Sequence, residues 1–399
     1  MSPLRIVVAL LIVTSILGGT HYYLWARLLR DPAFPEPWNT IGKVGVVLLG
    51  TVLVGSIALR RAPRAVSSPI AWVAYTWLGL VFFLFFLFIV VDAVRGIVAL
   101  GARLASSPPE DPARRVALAR WLSALVGLGA VGLGGMGFAN VMRAVAVKRV
   151  RIQLAKLPAS LSGYRIALIS DVHVGPTIGR EFLEEVVQRV NALAPDLIAV
   201  AGDLVDGRVA DLGNLVLPLK ELRAKDGVFF VTGNHEYYSG VDEWLAFLPT
   251  LGLKVLKNER VAIGGDVGFD LAGVEDLSAH GFAGHAANLP RALEGRDPSR
   301  AVVLLAHQPK AILEAESLGV DLQLSGHTHG GQLFPWKYAV GLDQPYVVGL
   351  HLHGNAKLYV SCGTGYWGPP MRVGAPAEIT DIELVRAVGE GSSPSSSRA

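Results

Sequence analysis

Apolar residues follow two patterns along this chain, and the change falls near residue 142. Before it lie four long runs. Residues 6–25 and 70–91 carry no charge, 41–59 holds only Lys43 near its start, and 121–142 is uncharged with six glycines. Each approaches or exceeds the roughly 18–20 residues a bilayer-spanning helix needs. Buried core helices are the alternative, but four such runs joined by Arg-rich loops argue for a membrane. The first run, preceded by Arg5, also has the form of a signal peptide. Its cleavage would leave the rest of the chain facing the same side.

Beyond about residue 157 the period shortens. Short β-rich runs alternate with amphipathic ones: "YRIALIS", "REFLEEVVQRVNAL", "DLIAVAG", "LGNLVLPLKELRA", "GVFFVTG". Buried strands alternating with helices predict an α/β unit with a largely parallel sheet. The later runs "VGFDLAGV", "AVVLLAH", "DLQLSGH", "KLYVSCG" and "EITDIELV" are richer in strands, predicting a second sheet packed on the first. The expected organisation is an α-helical membrane region with four spans (1–142), a basic linker (143–159), the α/β domain (160–386) and a disordered polar tail (387–399).

Charge adds little about sidedness. With four spans, one side carries nine Lys/Arg near the helix ends and the other eight, which leaves the positive-inside rule almost balanced. The cluster after the fourth span leans towards a cytoplasmic α/β domain on a bacterial inner membrane. The single cysteine, Cys362, excludes an internal disulfide. Net charge is +3, with no basic stripe interleaved with aromatics, so nucleic acid is not an expected partner. Membrane lipids are. Oligomeric state has no signature.

In open α/β sheets, ligands bind beyond the carboxyl ends of the strands. Five predicted strands each deliver Asp, Asn or His there: Asp171 and His173, Asp203 and Asp206, Asn234 and His235, His307, and His327 with His329. Any one has a bland explanation in turn chemistry; five together do not. The mixed O/N set without thiolate suits Mn, Fe or Zn. Seven candidate ligands are too many for one ion and about right for two. The glycines around them would let the backbones approach closely.

In order, "DVH", "GDLVD", "GNHE", the His before "QP" and "GHTH" match the motifs of the calcineurin-like binuclear metallophosphoesterases, and the chain resembles that family over about residues 160–385. "DVHVGPTIGR", "SGHTHGGQLFPW" and "GYWGPPMRVGAPAEIT" are more similar to its membrane-anchored bacterial branch. The resemblance implies a four-layer α/β/β/α sandwich. It implies that Asp171, His173 and His329 hold one ion, that Asn234, His307 and His327 hold the other, and that Asp203 bridges. His235 would face the leaving group as general acid, oriented by Asp206. Many members place Arg directly after that second Asp; here Gly207 precedes Arg208.

Two divalent ions, less the charges of Asp171, Asp203 and a bridging hydroxide, keep about one positive charge, matched to a phosphoryl oxygen. The expectation is a membrane-anchored hydrolase of a phosphate mono- or diester, lipid-linked, working by attack of a metal-bound hydroxide. A silent sensor or scaffold keeping the fold is the alternative; the intact ligand set argues against it. A transporter would need charges deep in its spans, and the apolar runs show none. His280, His285, His351 and His353 are expected as loop residues, Glu236 as a structural hydrogen-bond partner. Trp336, Tyr366 and Trp367 flank the last ligand loops as core or substrate wall.

Overall fold

The computed structural model describes residues 3–106, 111–265 and 267–387, which form two compact units. The polar tail from residue 388 lies outside the described residues.

The first unit is helical: α1 (Pro3–Trp25), α2 (Trp38–Ala58), α3 (Arg64–Leu104) and α4 (Pro112–Val141). Among the described residues, α2, α3 and α4 are long and apolar enough to cross a membrane. The helices outrun the apolar stretches that predict them. With 41 residues, α3 carries Asp92, Arg95 and Arg103 beyond its apolar part. Hydropathy ends where charge begins, whereas a helix of good formers continues until something breaks it, here ahead of Pro108 and Pro109. Asp92 is paired: it accepts from Tyr23 Oη at 2.6 Å and Arg27 Nε at 2.9 Å. Arg27 also reaches Asp31 at 2.7 Å. Such pairing is what a charge in or near a bilayer requires. Gly368–Val373 belongs to this unit although the sequence pattern assigns it to the α/β domain. Arg372 N–H donates to Gly137 O at 3.0 Å, and Asn140 Nδ2 donates to Arg372 O at 3.0 Å.

The second unit holds two six-stranded sheets. In chain order the strands are β1 (Ala146–Leu154), β2 (Tyr164–Ile169), β3 (Leu197–Ala201), β4 (Val228–Val231), β5 (Leu253–Val255), β6 (Glu259–Ile263), β7 (Phe269–Gly273), β8 (Val302–Leu305), β9 (Leu322–Ser325), β10 (Gly349–His353), β11 (Ala356–Val360) and β12 (Glu378–Arg386). One sheet runs β1-β12-β2-β3-β4-β5, the other β10-β11-β9-β8-β7-β6. Pairing from β2 through β5 and from β7 through β9 to β11 is parallel. Parallel strands are buried on both faces and so read as unbroken apolar runs. Ile166, Leu168, Ala199, Phe229 and Val231 face Leu271, Val303, Leu305, Leu322 and Leu324 across the inter-sheet core. Helix α5 (Arg180–Ala192) buries Leu183, Val186, Val187 and Val190, while Ile312, Ala315, Val302 and Leu304 share a further core. This is the four-layer α/β/β/α sandwich.

β1 occupies the stretch expected as a basic linker. It pairs in parallel with β12, from Ala146 opposite Glu378 to Leu154 opposite Arg386. Lys148, Arg149, Arg151 and Lys156 lie 3.2, 3.5, 3.0 and 3.4 Å from Glu378, Asp381, Glu383 and Asp321. These cations therefore pair with acids of their own unit.

Candidate metal centre

The polar residues at the strand ends converge on one edge of the sandwich. The loop after β2 brings Asp171 and His173, that after β3 Asp203 and Asp206, that after β4 Asn234 and His235, that after β8 His307, and that after β9 His327 and His329. Asp171, His173, Asp203, Asn234, His307 and His329 are buried. Among the described residues ten non-glycines have left-handed φ, and five of these are Asp171, His173, Asp203, His327 and His329. Each such conformation costs on the order of 1–3 kcal/mol and persists only where its surroundings over-determine it. Close packing explains two glycines. A Cβ on Gly233 would collide with the Asp203 carboxylate, and one on Gly326 with Ser170 Oγ and Asp171 Oδ2.

Among the described residues, three groups have ligand atoms close enough to hold a cation: Asp171–His173–His329, His173–Asp203–His235 and Asp203–His307–His327. His173 Nε2 lies 3.0 Å from His329 Nε2, and His329 Nε2 lies 3.6 Å from Asp171 Oδ1. On the other side, His307 Nε2 is 3.3 Å from His327 Nδ1 and 3.1 Å from Asp203 Oδ2. Asp203 Oδ2 is also 3.9 Å from His173 Nε2, so one carboxylate lies between the two halves. His307 Nδ1–H donates to Ala201 O at 2.8 Å, which leaves Nε2 as the free lone pair. Asn234 Oδ1 is buried with no hydrogen-bond partner. An orphaned buried acceptor is costly, and a cation beside it would remove that cost. The donor set thus fits divalent metal.

His235 sits between these groups and Asp206. Its Nδ1 lies 2.5 Å from Asp206 Oδ1, and its backbone N–H donates to Asp203 Oδ1 at 2.8 Å. Burial disfavours the imidazolium, but the bond to Asp206 and the charges of Asp203, Asp206 and Glu236 outweigh it and raise the pKa to about 9. Asp206 pushes the other way. Burial opposes its charge, yet His173 and His235 hold it well below the usual carboxylate range. Burial opposes charge on His307 too, and Asp203 more than compensates.

The calcineurin-like phosphoesterase model matches residues 164–331. A transmembrane protein with metallophosphoesterase domain from Bos taurus is 39% identical over 404 residues, covering 96% of this chain and 90% of its own. The chain belongs to the calcineurin-like phosphoesterase family. A Danio rerio protein of the same description is 34% identical over 95% of this chain and 89% of its own. An uncharacterized metallophosphoesterase of Helicobacter pylori is 41% identical over 69% and 73%. Full-length similarity to transmembrane proteins, together with the apolar helices, makes this phosphoesterase a membrane-associated one.

Around the centre of this phosphoesterase, Tyr238 and Gln332 escape sequence reading, as do the particular contacts of Asp206, Glu236 and Trp367. Asp206 Oδ1 holds His173 Nδ1 at 3.1 Å as well as His235. Glu236 accepts from the backbone N–H groups of Asp203, Leu204, Val205 and Gly233 at 3.0, 2.7, 3.4 and 2.6 Å. Burial and Asp203 raise its pKa to about 7 against the pull of those donors. The Tyr238 and Trp367 rings pack edge-to-face with His235, centroids 5.6 and 5.5 Å away. Tyr238 has a sequence signal, since it follows His235 by three on one short helix. Trp367 is clamped by Gln332, which accepts from its N–H at 3.0 Å and donates to its carbonyl at 2.9 Å. Arg208 points to Glu243 at 3.4 Å. His280, His285, His351 and His353 enter none of the three metal groups; His351 and His353 lie on β10 rather than in loops, and His285 is buried against Glu275.

Proposed function

We propose that this protein hydrolyses a phosphate mono- or diester with two divalent ions, Mn, Fe or Zn. Asp171, His173 and His329 hold one, Asn234, His307 and His327 the other, and Asp203 lies between them. The observation that carries the reading is Asp203 Oδ2, within 3.1 Å of His307 Nε2 and 3.9 Å of His173 Nε2. Bound ions supply an activated water and neutralise phosphoryl oxygens. The protein's own groups do the rest. Asp206 fixes Nδ1 of His235, so Nε2 carries the proton that goes to the departing oxygen, a role typically worth 10²–10⁴-fold. The Tyr238 and Trp367 rings flank the path of that leaving group.

The substrate we propose is lipid-linked, a phosphate or pyrophosphate ester of a membrane lipid, with the catalytic domain on the cytoplasmic side of a bacterial inner membrane. Membrane helices in the same chain support this. So do the exposed Phe334, Trp336, Tyr338 and Trp367 beside the ligand loops, since aromatic side chains favour the membrane interface. The test is full-length protein, metal-reconstituted, against mono- and diesters, each as a lipid ester in vesicles and as its water-soluble headgroup analogue. The reading expects higher kcat/KM for the vesicle substrate. Equal values for the two forms overturn the lipid link; no turnover of any ester overturns the activity.

A further inference from the structure

Away from the metal centre, the helical unit contains a groove of about 800 Å³ between α1 and α2. The two helices run antiparallel: Leu29 meets Gly42 at one level and His21 meets Gly50 at another. Glycine makes the groove. Gly18, Gly50 and Gly55 line it, and a Cβ on Gly18 or Gly55 would meet nothing within 4 Å. The rest of the wall includes Leu17, Val46, Val47 and Val54.

Two polar side chains inside, His21 and Thr51, are already satisfied. His21 Nδ1–H donates to Leu17 O at 2.8 Å and its Nε2 accepts from Trp77 Nε1 at 3.0 Å. Thr51 Oγ1 donates to Val47 O at 2.8 Å. The interior is therefore mainly a hydrocarbon surface. One end differs. Lys43 lines it with no acidic partner among the described residues, and the buried indole N–H of Trp25 has no acceptor. Trp25 and Tyr22 stand at the same end, where amphipathic rings mark headgroup depth. From Lys43 to Gly55 the groove descends 12 residues, about 18 Å at 1.5 Å per residue. That is close to one leaflet of a hydrocarbon core about 30 Å thick.

An apolar trough one leaflet deep, ending in an unmatched cation and an unmatched donor, has the chemistry of a single lipid. We propose that the α1–α2 groove holds one anionic phospholipid, its chain along Val54, Val47 and Gly18 and its phosphate at Lys43. This site is independent of the hydrolytic reading, because it shares no residue with the metal centre.

Full-length protein is reconstituted in vesicles of phosphatidylcholine and phosphatidylglycerol, gently extracted, and its retained lipid counted by native mass spectrometry. One phosphatidylglycerol per chain is expected in the wild type. Lys43→Gln should cut the preference for phosphatidylglycerol over phosphatidylcholine by about fivefold, the worth of one cation at an anionic surface. Gly18→Leu with Gly55→Leu should expel the lipid of either headgroup, while ester hydrolysis at the metal centre is unchanged. Equal retention of both lipids by the wild type, or undiminished retention in the doubly filled variant, overturns the site. If the filled variant fails to fold, the Lys43→Gln preference alone decides.

Discussion

The strand interiors and the strand ends of the α/β unit obey opposite rules. In the interiors every side chain of β2 except Arg165, and all of β3, β4, β8 and β9, is buried and nearly all are apolar. Their backbones are extended and their hydrogen bonds regular. Two to four residues further on, Asp171, Asp203, His307 and His329 are also buried but ionisable, and left-handed non-glycine backbone gathers there. Burying such groups in apolar surroundings costs several kcal/mol each unless they are paired. The interiors supply the rigidity that lets the ends sustain this. A fold that concentrates stability in its sheets can concentrate chemistry at their edge.

If that contrast is right, substitutions of similar size should act differently on the two sides of the boundary. Asp203→Asn should act most strongly. As the shared carboxylate, its loss should remove metal and abolish turnover together while the sheets stay folded; elemental analysis beside circular dichroism checks this. Retention of both ions with full turnover would show that Asp203 is not shared. His235→Ala comes next, with kcat down by about 10²–10⁴-fold and metal content intact. The deficit should shrink for nitrophenyl esters, whose leaving groups need no proton. Loss of metal in that variant would make His235 a ligand instead.

Much of this was legible beforehand, for reasons that also explain what was not. Asp171, Asp203, His307 and His327 announce themselves because each closely follows an apolar run that must be a strand. Asp92 did not, because hydropathy stops at the last apolar residue while α3 continues to Leu104. The second contact of Asp206, onto His173, and the Gln332 clamp on Trp367 depend on partners 33 and 35 residues away. No local period encodes such distances. The same holds for Lys148, Arg149 and Arg151, whose acidic partners on β12 lie more than 200 residues later.

Glu236→Gln probes the boundary itself, with a smaller effect. The carboxylate knits the β3 and β4 loops through four backbone donors, and an amide would turn an N–H towards some of them. Stability should fall by about 1–3 kcal/mol, the usual cost of a buried unsatisfied donor, measurable as a lower Cm in urea. An unchanged Cm would mean that the loops hold their shape without it. The smallest effect belongs to the rim. Trp336→Ala and Trp367→Ala should each raise KM a few-fold for a vesicle substrate and leave the soluble headgroup analogue untouched, a kinetic split that ordinary packing residues would not give.

The central question is whether the strand ends hold two ions joined through one side chain. Electron paramagnetic resonance of the full-length protein loaded with Mn(II) addresses that directly. Two ions per chain with an exchange-coupled spectrum, losing the coupling in Asp203→Asn, is the predicted result. A single ion per chain, or two whose spectrum is uncoupled in the wild type, would contradict it.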